Sequence, residues 1–171
     1  TAYGRNSVDL TRPATLRNIA DDHDVIVNCA GYMGGDSSTI WGVNLQGVIE
    51  LCKELNSRMT YPYLIQLSTG GVYGYSESVL TIARKESPDG EYALSKYLAD
   101  EVIRCLYKGK AGVCRLFFPY GAGQSKERLV PRLMNSIWMR QKIDLSGSNG
   151  RPLINPIYID DLCDQLLKTT M

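Results

Sequence analysis

Three short apolar runs, separated by segments with helical spacing, most constrain the fold of this chain. They span residues 24–30, 63–68 and 112–117. Continuous apolar runs with β-branched residues are typical of strands that are buried on both faces of a parallel sheet. Between them, residues 39–55 and 92–107 have helical apolar spacing, and strands that alternate with helices indicate βαβ units. The sequence therefore predicts an α/β fold with a doubly wound parallel sheet.

The alternation of strands and helices continues toward both ends of the chain. Residues 8–11 are expected to end a strand, and a short helix is expected to follow to about residue 20. The later elements are a helix over 128–140, short strands over 142–145 and 154–159, a loop over 146–150, and a helix over 160–169 capped by Asp160 or Asp161.

Polar, glycine-rich segments follow three of the predicted strands. They span residues 31–36, 68–74 and 119–123, and the last of them has the composition of a turn. In parallel sheets, ligands bind outside the carboxyl ends of the strands. We therefore expect these three segments to cluster at one edge of the sheet.

A tyrosine and a lysine stand four residues apart at the start of the long helical segment, at Tyr92 and Lys96. At this spacing, both side chains project from one face of a helix. A neighbouring ammonium favours the phenolate and lowers the pKa of the tyrosine, which suits proton transfer. For the pair taken alone, the alternative is two solvated residues on a first helical turn.

The composition limits the class of protein. The 171 residues suffice for one domain with a core, and the net charge of +1 gives no basis for binding nucleic acid or an acidic membrane. No apolar run is long enough to span a bilayer and no signal peptide is visible, so we expect a cytoplasmic protein. The single histidine, His23, is expected in a solvated loop and argues against a Ser-His-Asp triad or a metal site. The five cysteines form no Cys-x-x-Cys pair and are expected to be buried thiols in a reducing compartment.

Seven motifs, in order, make the chain resemble the extended short-chain dehydrogenase/reductases, the NAD-dependent epimerase/dehydratase group. They are Asp9-Leu10, Asp24-Val-Ile-Val-Asn-Cys-Ala-Gly31, Val43-Asn-Leu-Gln-Gly47, Leu67-Ser-Thr-Gly-Gly-Val-Tyr-Gly74, Tyr92-x-x-x-Lys96, Arg115-Leu-Phe-Phe-Pro-Tyr-Gly121, and the pair Leu129-Val-Pro-Arg132 with Ile157-Tyr-Ile-Asp-Asp161. The resemblance implies a Rossmann fold. It divides the chain into an NAD(P)-binding core over residues 1–124 and a partial substrate-binding region over 125–171.

The resemblance also implies roles for the matched residues. Tyr92 is the implied general acid and base, Lys96 holds the nicotinamide ribose, and Thr69 hydrogen-bonds the reacting oxygen. The implied cofactor is NAD or NADP, and its implied contacts are Asp9, Leu10, Cys29, Ala30, Gly31, Asn44, Leu67, Ser68, Tyr92, Lys96, Phe118 and Pro119. The implied substrate contacts are Gly70, Gly71, Tyr73 and Arg132. No metal ligand is implied.

Several of these residues have structural alternatives. Asp9 could cap the helix that follows it, and Thr69 could simply end a strand. Tyr73 could fill its own loop, and Asn44 could bridge a helix and a strand, which nearly coincides with its implied role. Three arginines could clamp a diphosphate or could belong to a solvated face; they are Arg128, Arg132 and Arg151.

The chain departs from the family pattern in two places. The glycine-rich phosphate loop and the first two strands are absent before Thr1, so we expect the chain to be a fragment or to lack segments. Gly70-Gly71 stands where the sugar-nucleotide 4,6-dehydratases carry Asp-Glu, which disfavours dehydration because two glycines supply neither acid nor base. Phe118 replaces an asparagine that often contacts the sugar nucleotide.

The first functional hypothesis is an NAD(P)-dependent epimerase that acts on a nucleotide-activated sugar. The alternatives are a reductase or dehydrogenase of a related carbonyl substrate, and a non-catalytic nucleotide-binding homologue. The resemblance also implies a homodimer formed by the helices over 39–55 and 92–107, whose apolar surface would come from Trp41, Val48, Leu98, Val102 and Leu106. Ordinary packing of these helices on the sheet is the alternative.

Overall fold

The computed structural model describes residues 1–17, 19, 21, 23–76, 79–143 and 154–170. These residues belong to two units, Thr1–Leu116 and Phe117–Met171. The first unit holds the main sheet and its helices. The assignment of a nucleotide-binding core and a substrate region to particular parts of the chain stays a prediction.

A three-stranded parallel sheet forms the centre of the first unit. Its strands are β1 (Val25–Asn28), β2 (Tyr63–Thr69) and β3 (Ala111–Leu116), in the order β1-β2-β3. Val25 lies opposite Tyr63, and Leu64 lies opposite Ala111. The predicted parallel α/β sheet is confirmed.

The expectation that the strands are buried on both faces is correct only for β2. Leu64, Ile65 and Gln66 of this central strand are fully buried. In β1, Ile26 is buried but Val27 is 41% exposed. Ile26 belongs to the hydrophobic core, whereas Val27 lies on the other face of this edge strand and is open to solvent.

Two helical stretches pack against each other beside the sheet. The elements are α1 (Ser37–Trp41), a π-helical segment (Gly42–Gln46), α2 (Gly47–Asn56) and α3 (Gly90–Leu106). Asp36 caps α1 by accepting a hydrogen bond from the Thr39 backbone N–H at 2.7 Å. The helices predicted over residues 39–55 and 92–107 are confirmed, and the first of them contains the π-helical segment.

The hydrophobic core lies between α2, α3 and the sheet. Its buried members include Leu16, Ile26, Val48, Leu51, Leu55, Leu64, Ala99 and Ile103. Full burial of such an aliphatic side chain contributes about 1.5–3 kcal/mol to stability. Val48, one of the residues expected to supply a dimer surface, is therefore buried in the core and cannot contribute to that surface.

The strand expected to end at residues 8–11 does not form. Asp9 accepts hydrogen bonds at its Oδ1 from the backbone N–H and the hydroxyl of Thr11, at 2.9 and 2.7 Å. The backbone N–H of Asp9 donates to Thr15 Oγ1 at 2.9 Å. These bonds close a local turn instead of a β ladder, and a short 3₁₀ helix, Pro13–Leu16, follows.

We expect replacement of Gly47 by alanine to destabilise the first unit by about 1–3 kcal/mol. A Cβ atom at this buried position in α2 would lie only 2.6 Å from the Cβ atom of Leu10. Urea unfolding of the variant measures the loss. The control is Gly42→Ala, because a Cβ there meets only Thr11 at 3.9 Å, and alanine favours a helix. Equal stability of the two variants would contradict the tight approach of α2 to Leu10.

The described residues of the second unit form a two-stranded parallel sheet and two helices. Its elements are β4 (Phe118–Tyr120), α4 (Leu129–Trp138), β5 (Pro156–Tyr158) and α5 (Ile159–Thr169). Phe118 lies opposite Pro156. The helix predicted over 128–140 and the strand predicted over 154–159 are present, but the segment expected to be a turn at 119–123 begins as β4. Three predictions fall wholly or partly outside the described residues. They are the strand over 142–145, the loop over 146–150 and Arg151.

The cap predicted for the last helix is wrong. Tyr158 occupies the N-cap position of α5, without a side-chain hydrogen bond to the helix. Asp160 and Asp161 instead lie in the first turn, where their negative charges interact favourably with the helix dipole.

The five cysteines are free thiols in contrasting environments. Cys52 is buried, and desolvation raises its pKa to about 11. Cys29, Cys105 and Cys163 are exposed, so the expectation of uniformly buried thiols is wrong. Among the residues that the structure describes, no helix combines the length and the apolar character needed to cross a bilayer.

Candidate active site

Lys96 is the most unusual charged group of the first unit, because it is almost completely buried. Its side chain is 2% exposed. Among the described residues, its Nζ atom has one hydrogen-bond partner, the carbonyl oxygen of Ala30 at 3.5 Å. A Cβ atom on Gly31 would lie 3.9 Å from the same ammonium. The helix α3 therefore delivers an ammonium group to the loop at the carboxyl end of β1.

The environment of Lys96 shifts its pKa. Burial lowers the pKa of the ammonium, and electrostatic interactions with Asp100 and Cys29 oppose this change. The half-buried Tyr92 precedes Lys96 by one helical turn on the same face of α3. A buried ammonium with one long hydrogen bond can bind a polar group that enters the site, and its charge favours a nearby phenolate.

Asn44 connects this loop to the start of α3. The residue lies in the π-helical segment and is buried. Its Oδ1 accepts from the Tyr32 backbone N–H at 2.8 Å, and its Nδ2 donates to the Tyr32 carbonyl at 2.9 Å and to Ser95 Oγ at 3.0 Å. Ser95 Oγ in turn donates to the carbonyl oxygen of Tyr92 at 2.8 Å. Asn44 thus bridges the loop after β1 and the helical turn that carries Tyr92.

Thr69 ends β2 and begins a 3₁₀ helix, Gly70–Tyr73. Its Oγ1 accepts a hydrogen bond from the Gly71 backbone N–H at 3.1 Å, which leaves the hydroxyl hydrogen able to donate. A Cβ atom on Gly71 would lie 3.5 Å from the Cβ atom of Ala93, the residue after Tyr92. The loop that carries Thr69 therefore packs against the first turn of α3.

A cavity of about 670 Å³ opens beside β1 in the first unit. Five of the predicted cofactor contacts line it: Asp9, Leu10, Cys29, Ala30 and Gly31. His23 also lines it; the residue lies in a loop, as expected, and is half-buried. Two of the three glycine-rich segments, at 31–36 and 68–74, lie at the carboxyl ends of β1 and β2, which are neighbours in this sheet.

Asp9 has a defined structural role at this cavity. Hydrogen bonds from Thr11 lower the pKa of its carboxyl group. Its Oδ2 lies 3.5 Å from Arg5 Nε and 3.8 Å from Arg12 Nε. The capping alternative is wrong, because Arg12 occupies the N-cap position of the 3₁₀ helix and no side-chain hydrogen bond caps it. The contact of Asp9 with a cofactor stays a prediction.

Other predicted site residues either make different contacts in the first unit or belong to the second unit. Ser68 and Tyr73 belong to the first unit, but their hydroxyl groups take part in a buried network with Asp100 and Arg115. Leu67 is half-buried in β2, between Gln66 and Ser68. The residues of the second unit are Phe118 and Pro119 in β4, and Arg132, which is exposed on α4.

Two polar residues of the site were missed by sequence reasoning. Gln66 is fully buried in β2 and accepts a hydrogen bond from Asn28 Nδ2 at 2.7 Å. Asp100 is buried in α3. The i,i+4 spacing of Lys96 and Asp100 on one helix could have identified Asp100, whereas Gln66 has no such local signal.

Curated relatives of the chain are sugar-nucleotide enzymes. The chain is 25% identical over 173 residues to dTDP-4-dehydrorhamnose reductase of Mycobacterium tuberculosis, which covers 93% of this chain and 53% of that protein. It is 34% identical over 106 residues to dTDP-4-dehydro-6-deoxyglucose reductase of Escherichia coli, covering 58% of this chain and 33% of that protein. The chain thus spans at most about half the length of these two relatives. No family model matches the chain.

Solved structures show the same fold. UDP-glucuronic acid 4-epimerase from Bacillus cereus, crystallised with UDP-glucuronic acid and NAD, superposes with a TM-score of 0.78 at 19% identity, covering 98% of this chain and 54% of that one. The fold and its site thus define a Rossmann-type α/β domain. The relatives and structural neighbours of the chain are enzymes of the NAD-dependent epimerase/dehydratase group, the extended short-chain dehydrogenase/reductases, and the resemblance inferred from the motifs is confirmed.

Proposed function

We propose that this chain carries the catalytic site of an NAD(P)-dependent epimerase acting on a nucleotide-activated sugar, with Tyr92 as the general acid and base. The observation that carries the proposal is the buried Lys96 ammonium. It lies at the carboxyl edge of a parallel sheet, one helical turn from Tyr92. The Thr69 loop packs against the same turn of α3.

The residues present fit a nicotinamide cofactor. The Lys96 ammonium has spare donors beside the Ala30–Gly31 loop, and a cavity large enough for part of a dinucleotide adjoins this loop. Lys96 would hold a ribose hydroxyl, and Asp9 and Leu10, which also line the cavity, would contact another part of the cofactor. The bound cofactor would supply hydride transfer to and from the sugar carbon.

The proposed mechanism assigns proton transfer to Tyr92. The Tyr92 phenolate, stabilised by Lys96, removes the proton of the sugar hydroxyl as that carbon is oxidised. Thr69 donates its hydroxyl hydrogen to the reacting oxygen and orients it. The keto sugar then rotates in the site, and the Tyr92 phenol returns its proton to the oxygen. The configuration is inverted because the hydride returns to the opposite face of the carbonyl carbon.

The loop at Gly70 and Gly71 supports this choice of reaction. Neither glycine carries an acid or a base, and elimination of water from the sugar requires both. Gly71 is exposed, so the loop beside Thr69 is accessible from solvent. Dehydration is therefore not proposed.

A reductase is the second candidate, because the two curated relatives described above are both named as reductases. Cofactor balance separates the candidates. With UDP- and dTDP-hexoses and a catalytic amount of NAD, we expect the intact protein to convert the sugar with no net change in nicotinamide absorbance. Stoichiometric consumption of NADH or NADPH with a keto-sugar nucleotide would establish the reductase and exclude the epimerase.

A homodimer and a cytoplasmic location also stay proposals. Four of the five expected interface residues are at least partly exposed, namely Trp41, Leu98, Val102 and Leu106, whereas Val48 is 1% exposed within the core. Sedimentation of the intact protein tests the dimer.

A further inference from the structure

A buried hydrogen-bond network links α3 to the strand that ends at Thr69. Asp100 follows Lys96 by one helical turn and is 4% exposed. Its Oδ2 accepts hydrogen bonds from Ser68 Oγ at 3.0 Å and from Arg115 Nε at 3.2 Å. Ser68 in β2 and Arg115 in β3 are directly paired in the sheet register, so both side chains reach the same carboxylate.

Arg115 extends the network into the loop that follows Thr69. Its Nη1 donates to Tyr73 Oη and to Glu86 Oε1, both at 2.8 Å. Its guanidinium carbon lies 4.9 Å from the centre of the Tyr73 ring. Ser68 precedes Thr69, and Tyr73 ends the 3₁₀ helix that Thr69 begins. The network therefore holds the chain on both sides of Thr69.

A buried ion pair is weak evidence of a stabilising role. Desolvation of a buried ion pair can cancel its attraction, and apolar replacements are often equally stable. Among the described residues, Asp100 Oδ1 is buried without a hydrogen-bond partner. Burial raises the pKa of Asp100, and hydrogen bonds from Ser68 and Arg115 and the charges of Arg115 and Lys96 oppose that rise. A costly pair that connects three elements of the site indicates a role in its geometry.

We propose that Asp100 and Arg115 are positioning residues that hold the Thr69 hydroxyl in register with Tyr92 and Lys96. This role rests on the proposed function. Both residues act through Ser68, Thr69 and Tyr73 and not on the reacting atoms. Asp100 sets the distance from α3 to β2, and Arg115 sets the distance from the sheet to the loop.

The variant Asp100→Asn tests the proposal, because it keeps the size of the side chain and one acceptor oxygen but removes the charge. We expect kcat of the intact protein to fall about 10-fold or more, with KM changed less than about 2-fold, because small displacements at a reacting centre are costly. In the protein without cofactor, we expect amide exchange to accelerate at residues 69–74 and to stay unchanged at residues 64–66.

A second variant and a control complete the experiment. Arg115→Lys keeps the charge but cannot bridge three acceptors, and we expect the same pattern of exchange. Glu50→Gln removes the carboxylate of the Glu50–Lys53 pair on α2 and should change neither kcat nor exchange at residues 69–74.

Two results would overturn the positioning role. The first is wild-type exchange and kcat in both Asp100→Asn and Arg115→Lys. The second is accelerated exchange that extends equally to residues 64–66, which would reveal a general loss of stability. If the wild-type protein converts no nucleotide sugar, the proposed function fails, and the exchange pattern still decides whether the network positions the loop.

Discussion

Replacement of Tyr92 by phenylalanine is expected to lower kcat for sugar conversion by about 10²–10⁴-fold. The change removes only the phenolic oxygen, which we propose as the proton acceptor and donor at the sugar hydroxyl. Phenylalanine keeps the aromatic ring, and Tyr92 is only half-buried on the first turn of α3. The fold should therefore be retained. Steady-state turnover with the nucleotide sugar, together with urea unfolding, measures both effects.

The matched control for this variant is Tyr61→Phe. Tyr61 precedes β2 at the amino end of the sheet and packs edge-on against Tyr107, with ring centres 6.5 Å apart. It lies at the strand end opposite Thr69, so turnover should stay at the wild-type level. A Tyr92→Phe protein that turns over as fast as Tyr61→Phe would exclude Tyr92 from proton transfer.

Replacement of Lys96 by methionine is expected to separate activity from stability. Turnover should fall about 100-fold or more, because the ammonium that supports the phenolate and orients the ribose is lost. Stability at neutral pH should stay equal or increase, since burial of the Lys96 charge is unfavourable and lowers its pKa. Turnover assays and denaturant unfolding measure the two effects.

The pH dependence of this stability difference has a definite sign. The folded-state pKa of Lys96 is lowered below its unfolded value. The destabilisation of the wild-type protein is therefore fully present below the folded-state pKa, and it is relieved as the pH rises through that value toward the unfolded pKa of about 10.4. The stability advantage of Lys96→Met should thus shrink with rising pH.

Lys53→Met is the control for the lysine experiment. The Lys53 side chain is 63% exposed on α2, where it pairs with Glu50 at 2.8 Å. Its replacement should change the free energy of unfolding by less than about 0.5 kcal/mol. A parallel response of both variants would show that Lys96 is not a buried charge in solution.

Local patterns explain which elements could be predicted. The apolar runs of β1, β2 and β3 and the spacing of α3 involve residues close in sequence, and their predictions are confirmed. The strand expected at residues 8–11 did not form, and the Asp9 side chain instead closes a local turn with Thr11. The cap of α5 failed because two acidic residues at a helix start suit either the cap or the first turn.

The sequence by itself determined the parallel sheet and the placement of Tyr92 and Lys96 on one helix face, because periodicity and i,i+4 spacing are local properties. Only the tertiary structure decided that Lys96 is buried beside Ala30 and that Asp100 joins Ser68 and Arg115. These partners are far apart along the chain and meet through strand register and helix packing, for which short-range sequence patterns contain no signal.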